Sequence, residues 1–321
     1  MMMRRRRTRN GGGGSSPIRK CDLFSGRWVY DNKSYPLYRE GECSFLADDF
    51  ACEKYGRKDL LYQHWRWQPH HCHLPRFNAT ALLEKLTGKR LVFVGDSLNK
   101  NQWMSMVCML ESSLSPSLKS SIWKGNLITF EAKISIGLRC SWNPTVMTQW
   151  GSFERPDAVQ EKVEMKLRRY EMALQTWSDW MEFNINRSTT QLFFMSLSPY
   201  HKLAGDWGNQ PDQNCYNETE PISRLDYWGS GSDKGLMQTA EKVIKQLESR
   251  GLKVGYLNIT QLSDYRKDGH PSIHRKQWQP PTEEQLLDPK SYSECVHWCL
   301  PGVPDVWNQI LYAYLMDHHV P

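Results

Sequence analysis

The sequence predicts a three-layer α/β fold, a parallel sheet covered by helices on both faces, preceded by a small cysteine-rich lobe. Three observations carry that expectation. From about residue 76, short apolar runs alternate with amphipathic segments of helical spacing, the pattern of strands and helices taking turns along the chain. One run, Leu91-Val92-Phe93-Val94, passes through Gly95-Asp96-Ser97 into a periodic stretch, so strand, tight turn and helix follow without a linker. Residues 21–75 instead hold four cysteines among aromatics and turn residues, with short extended pieces and no long periodic segment.

Taken in order, residues 1–20 form a basic and glycine-rich tail. Arg4 to Arg7, Arg9 and Gly11 to Gly14 give it a composition that cannot bury a core. No apolar run follows the arginines, so the sequence carries no visible signal or anchor, and no segment reaches transmembrane length. In the lobe, Gly26 to Tyr30 reads as extended. The Trp65-Arg66-Trp67 stretch offers flat apolar faces suited to core packing or to sugar rings. His70, His71 and His73 around Cys72 invite a metal reading, but consecutive residues do not converge easily on one ion, and no metal is expected.

Residues 76–321 read as the main α/β domain. A helix at Ala81 to Leu86 precedes the strand Leu91 to Val94 and a helix from Leu98. A strand at Leu127 to Lys133, a helix around Val163 to Asn184 and a strand at Gln191 to Ser196 come next. A helix at Asp233 to Ser249, a strand at Leu252 to Leu257 and a helix near Val306 to Met316 complete the series. The apolar residues of the 163–184 segment have ordinary core spacing rather than the pattern of a partner-binding helix.

With 39% hydrophobic and 12% aromatic residues in 321, the chain can build a sizeable core. Its formal charge of +6 comes largely from five arginines in the first ten residues. The rest is close to neutral and lacks the basic stripe of a nucleic-acid binder, so no nucleic-acid partner is expected. Nine cysteines, together with glycosylation sequons at Asn32, Asn78, Asn186, Asn217 and Asn258, point to an oxidising lumenal compartment.

Ser97 at a helix start is ordinarily an N-cap. It is also where free backbone N–H groups and the positive end of a helix dipole stabilise a developing oxyanion, and Gly95 lets the chain turn there. What raises Ser97 above a cap is Glu294-Cys295-Val296-His297, in which a carboxylate and an imidazole three residues apart share one face between two cysteines. Ser97, Glu294 and His297 are thus candidates for nucleophile, orienting acid and general base, with Gly95 and Asp96 shaping the oxyanion turn.

Together, Gly95-Asp96-Ser97-Leu98-Asn99-Lys100-Asn101-Gln102-Trp103 and Cys295-Val296-His297-Trp298-Cys299-Leu300-Pro301-Gly302 resemble the motifs of the plant trichome-birefringence-like polysaccharide O-acetyltransferases. The likeness extends to Cys21-Asp22, Trp28-Val29, Trp65 to Pro69, Ser198-Pro199, Asp206-Trp207-Gly208 and Asn214-Cys215-Tyr216-Asn217, and lies nearest the xylan-acetylating branch. The resemblance implies an SGNH/GDSL-hydrolase-like fold and an acetyl-serine on Ser97. It implies a xylan acceptor, an unidentified acetyl donor, no cofactor and a Golgi location. It further implies the disulfides Cys21–Cys72, Cys43–Cys108, Cys52–Cys299 and Cys215–Cys295. Trp65, Arg66, Trp67, Asp206 and Trp207 become candidate substrate contacts, the last two in a loop beyond a strand end.

Two departures stand out. Glu294 occupies the family's aspartate position, and between Phe130 and Gly151 the chain lacks a few dozen residues, including a core strand, that the family carries. An acetylesterase would share the same acyl-enzyme. A non-catalytic glycan-binding protein would instead make Glu294 and the shortened segment marks of lost activity.

Overall fold

The computed structural model describes residues 21–124, 127–132, 136–142 and 159–316; the basic tail expected over residues 1–20 lies outside them. In the lobe, β1 (Gly26–Tyr30) and β2 (Trp65–Pro69) pair antiparallel, with Trp28 opposite Trp67. Asn78 accepts a hydrogen bond from the Ala81 N–H and so caps α1 (Ala79–Leu86). Strand β3 (Arg90–Gly95) then leads through Asp96, whose carboxylate accepts from the Leu98 N–H, into α2 (Ser97–Glu111).

Beyond α2 the chain forms β4 (Lys119–Lys124), β5 (Leu127–Ala132), β6 (Ile136–Trp142), α3 (Val159–Asn184) and β7 (Leu192–Met195). Next come α4 (Lys234–Ser249), β8 (Val254–Leu257), two short helices α5 (Thr260–Asp264) and α6 (Glu283–Leu287), and finally α7 (Val303–Met316). Helix α4 keeps Met237, Ala240, Val243, Ile244 and Leu247 buried, the i, i+3, i+4 stripe that sequence periodicity calls for, and packs against α3.

The single parallel sheet expected from the alternation is not what the described residues form. Parallel pairing occurs twice, β3 with β6 and β7 with β8, in separate sheets. The larger sheet runs β3-β6-β5-β4, and its other two pairings are antiparallel. Two residues join β4 to β5 and three join β5 to β6, far too few for the crossover that parallel neighbours require. The Val-Phe-Val run of β3, which reads as buried on both faces, buries Phe93 and leaves Val92 and Val94 on the opposite face 48% and 72% exposed. Among the described residues the result is a mixed α/β arrangement of small sheets.

The core is built on α2 and α7, both buried over most of their surface. Trp103, Met106, Val107 and Leu110 meet Val306, Trp307 and Ile310, each such side chain contributing roughly 1.5–3 kcal/mol by leaving water. Leu23, Tyr38, Phe50 and Trp67 of the lobe belong to the same cluster, so one core runs through both parts of the chain. Between the helices, Asp305 accepts from Ser105 at 2.5 Å and from Tyr38 at 3.0 Å, and Asn308 donates to the Gln102 carbonyl at 2.9 Å. Burial pushes the Asp305 carboxyl up to about 6 despite these donors.

Four disulfides, Cys21–Cys72, Cys43–Cys108, Cys52–Cys299 and Cys215–Cys295, follow the pairing implied by the resemblance. Two of them join the lobe to elements beyond residue 76.

The fully buried pair Arg266–Asp268 is held by two 2.8 Å hydrogen bonds, and the guanidinium also donates to the Tyr62 carbonyl and lies over the Trp28 ring. Removing one partner strands the other charge away from water. Asp268→Asn is therefore expected to cost roughly 3–5 kcal/mol in urea unfolding, while an exposed pair such as Lys242–Glu171 is expected to contribute less than about 1 kcal/mol.

Candidate active site

The N-terminus of α2 and the loop before α7 meet at one point. Ser97 Oγ lies 2.7 Å from His297 Nε2, and His297 Nδ1 hydrogen-bonds the Glu294 carboxylate on its other side. Serine, imidazole and carboxylate thus stand in line, all partly buried. The carboxylate is folded back over its own loop, accepting from the Val296 N–H at 2.7 Å and, at 3.3 Å, from that of His297. Burial pushes the Glu294 carboxyl up, but the His297 hydrogen bond, the adjoining imidazole charge and the Val296 N–H outweigh it and hold the group at about 2. Glu294 is therefore an anion at neutral pH, able to fix the tautomer of His297 and to stabilise its protonated form.

Gly95 serves the turn by its small size. A Cβ there would fall 1.8 Å from the Asn99 amide oxygen, so a larger residue would have to push the Asn99 side chain out of its place on the first turn of α2. Asp96 caps the helix by accepting from the Leu98 N–H, and the Ser97 N–H stands at the positive end of α2.

Trp298 fixes the position of His297. Its backbone N–H donates to Asn101 Oδ1 at 2.8 Å and its carbonyl accepts from Asn101 Nδ2 at 3.1 Å, so one side chain, a turn beyond Ser97 on α2, grips the residue next to the imidazole from both sides. The fully buried indole donates to Ser198 at 2.9 Å and stacks on His270, ring centroids 4.1 Å apart. Disulfides at Cys295 and Cys299 bracket the segment. Phe50 of the lobe brings its ring 5.8 Å from that of His297.

A second, buried line of contacts runs behind the loop. His270 Nδ1 lies 2.6 Å from the His297 carbonyl, His270 Nε2 lies 2.7 Å from His201 Nδ1, and His201 Nε2 lies 2.8 Å from the Asp264 carbonyl. Burial pushes His201 down to about 4 and His270 well below the usual histidine range. Two neutral rings supply hydrogens for two of these three contacts; the third needs an extra proton, which burial disfavours. Sequence reasoning missed Asn101, His201 and His270. Asn101 could have been found, since i and i+4 on a helix share a face, so whatever meets Ser97 also passes Asn101. The two histidines come from distant loops and carry no local signal.

The other candidates fall elsewhere. Trp67 is buried, donates to the Leu23 carbonyl and packs edge-on against Trp28; Trp65 packs edge-on against Tyr30. Arg66 bonds Gln68 and pairs with Asp31. These contacts stay within the lobe. Asp206 accepts from the Ser230 N–H and hydroxyl, and Trp207 donates to Glu218 while meeting the His201 ring edge-on, so that loop braces the buried histidines from behind. Among the described residues no group of three or more His, Cys, Asp or Glu side chains could hold a metal ion, and no helix is long and apolar enough to cross a membrane. Of the sequons, Asn32, Asn78, Asn186 and Asn217 are exposed. Asn258 is half-buried, and its partner hydroxyl, Thr260, is fully buried and bonded to Ser196.

Comparison with known proteins places the chain in a family. Residues 74–167 and 140–314 match PC-Esterase, described as a GDSL/SGNH-like acyl-esterase family found in Pmr5 and Cas1p, and residues 19–73 match the PMR5 N-terminal domain. The chain is 46% identical to protein trichome birefringence-like 34 of Arabidopsis thaliana, over 94% of this chain and 86% of the relative. It is 44% identical to xylan O-acetyltransferase 12 of Oryza sativa subsp. japonica, over 92% of this chain and 70% of the relative. Identity to xylan O-acetyltransferase 14 of the same plant is 42%, over 93% and 78%. The first alignment spans 353 positions, more than this chain has, so that relative carries residues without counterpart here. The PC-Esterase match correspondingly breaks in two around residues 140–167.

Asn101→Ala removes both hydrogen bonds to Trp298 and is expected to slow acylation of Ser97 by roughly 10–100-fold, read by stopped-flow with an activated acetyl ester, while circular dichroism shows a folded chain. Because Glu294 sits near 2 in the fold and at 4.5 ordinarily, its contribution to stability is complete above pH 4.5 and lost as pH falls through 2. Glu294→Gln is expected to flatten that part of the melting-temperature profile. Glycopeptide mapping of the secreted chain is expected to find occupancy at Asn32, Asn78, Asn186 and Asn217 and none at Asn258.

Proposed function

Because the chain belongs to the PC-Esterase family of GDSL/SGNH-like acyl-esterases, and within it to the trichome-birefringence-like proteins, we propose that it is an O-acetyltransferase that acetylates O2 or O3 of xylosyl residues in xylan. The observation that carries this reading is the Ser97–His297–Glu294 line, with its 2.7 Å serine–imidazole contact at a helix N-terminus.

In the first half-reaction His297 Nε2 takes the Ser97 proton as Oγ attacks the acetyl carbonyl of the donor. The oxyanion of the tetrahedral intermediate is held by the Ser97 N–H at the positive end of α2. Collapse transfers the proton from Nε2 to the departing donor group and leaves acetyl-serine. In the second half, a xylosyl hydroxyl gives its proton to Nε2 and attacks the ester; collapse returns the proton to Ser97 Oγ and releases the acetylated sugar. Glu294, anionic throughout, stabilises the imidazolium in both halves. Residues 21–75 act as a lobe closing one side of this site, and residues 76–316 as the catalytic domain. Four disulfides favour an oxidising compartment, for which we read the Golgi lumen.

Intact mass spectrometry after brief exposure to an activated acetyl ester is expected to reveal an adduct on Ser97 that disappears as acetylated xylo-oligosaccharide accumulates. An adduct discharged only to free acetate would overturn transfer in favour of an esterase. Ser97→Ala is expected to lose about 10⁴-fold or more in turnover with its fold intact. Glu294→Asp is expected to retain activity, because an aspartate can hold the same imidazole nitrogen after a small shift of the loop.

A further inference from the structure

A polysaccharide acceptor must be held by more than the unit that reacts, and the lobe aromatics that sequence suggested for this are turned to structural use. A different tryptophan has the right setting. Trp278 is 69% exposed. Its orientation is nevertheless determined. The indole Nε1–H points at Asp49 Oδ1, 3.3 Å away, and the Lys276 ammonium sits over the ring, 4.5 Å from its centroid. Lys276 is itself held by Asp48, through its side chain and its backbone N–H, both at 3.2–3.3 Å. One face of the indole is thus backed by a cation, while the residue as a whole stays 69% exposed.

The platform is tied to the catalytic line from two sides. Asp49 also pairs with Lys100 at 3.6 Å, and Lys100 stands three residues beyond Ser97 on α2. Phe50, the next residue, lies under the Lys100 ammonium and against the His297 ring. The segment carrying Trp278 starts at Ser272, which exchanges two backbone hydrogen bonds with Glu294. Among the described residues another strongly exposed tryptophan, Trp180, lies on α3 beside α4, away from the catalytic line.

We propose that Trp278, oriented by Asp49 and backed by Lys276, is a stacking platform for a xylosyl unit of the acceptor chain, a short way along from the unit acetylated at Ser97. This rests on the xylan reading above. A xylopyranose has no hydroxymethyl arm, so its axial C–H bonds present a flat, weakly positive face to the electron-rich indole, while its equatorial hydroxyls reach past the ring edge toward Asp49. The lysine behind the ring also disfavours cationic ligands, which suits a neutral sugar. Trp278 is a specificity-determining residue in this scheme: it selects for acceptor length.

The test is calorimetric titration of xylobiose and xylohexaose into the full-length wild type, W278A and W278F. Wild type is expected to bind the hexaose more tightly than the biose, W278A to lose about tenfold on the hexaose, and W278F, which keeps a flat face, to retain most of the affinity. Equal hexaose affinity in W278A and wild type would overturn the platform while leaving the xylan reading intact. A wild type that binds neither sugar, yet still forms acetyl-Ser97 with an activated ester, would overturn the xylan reading and this inference with it.

Discussion

The catalytic line depends on how the residue after His297 is held. An imidazole on a loop can adopt many directions, and only a few bring Nε2 within reach of Ser97. Here the neighbouring Trp298 is fully buried, gripped at both backbone polar groups by Asn101, bonded through its indole to Ser198 and stacked on His270. Since Asn101 and Ser97 belong to one helix, the nucleophile and the clamp that fixes its base move as a unit. That arrangement carries the positioning cost in the folded core rather than at the moment of reaction.

Glu294 illustrates the same economy on the other side of the imidazole. A side chain one methylene longer than aspartate has further to go astray, and here its carboxylate is drawn back by the Val296 N–H while it meets His297 Nδ1. The loop supplies the extra restraint that the longer side chain needs. Beside Glu294 the His297 imidazole adds both a hydrogen bond and an opposite charge to the Val296 N–H, whereas fully buried Asp305 has only neutral donors, so desolvation wins at Asp305 and not here.

What was legible in the sequence followed local rules. Helices and most strands obeyed periodicity, Asp96 and Asn78 acted as caps, and the Gly95-Asp96-Ser97 turn and the Glu294–His297 spacing could be read as chemistry before any fold was known. The sheets could not. Which strand lies beside β3 depends on β6, in a stretch whose sequence departs from its relatives, and on connections too short to cross over. The lobe tryptophans stayed ambiguous because a ring suited to a sugar is equally suited to a core, and only the fold shows that Trp67 is covered. His201 and His270 sit far apart in sequence and meet only when three loops converge.

Phe50 touches the His297 ring, and Cys52, two residues later, is joined covalently to Cys299, two residues after His297. The boundary near residue 75, natural enough along the chain, therefore runs through the middle of the working unit in space. Exchanging only the Gly-Asp-Ser half between two such proteins would pair one parent's imidazole with the other parent's supporting wall. In such chimaeras the first fifty residues past the tail belong to the donor of the histidine, and the unit that evolution or an engineer can shuffle intact is the whole folded chain.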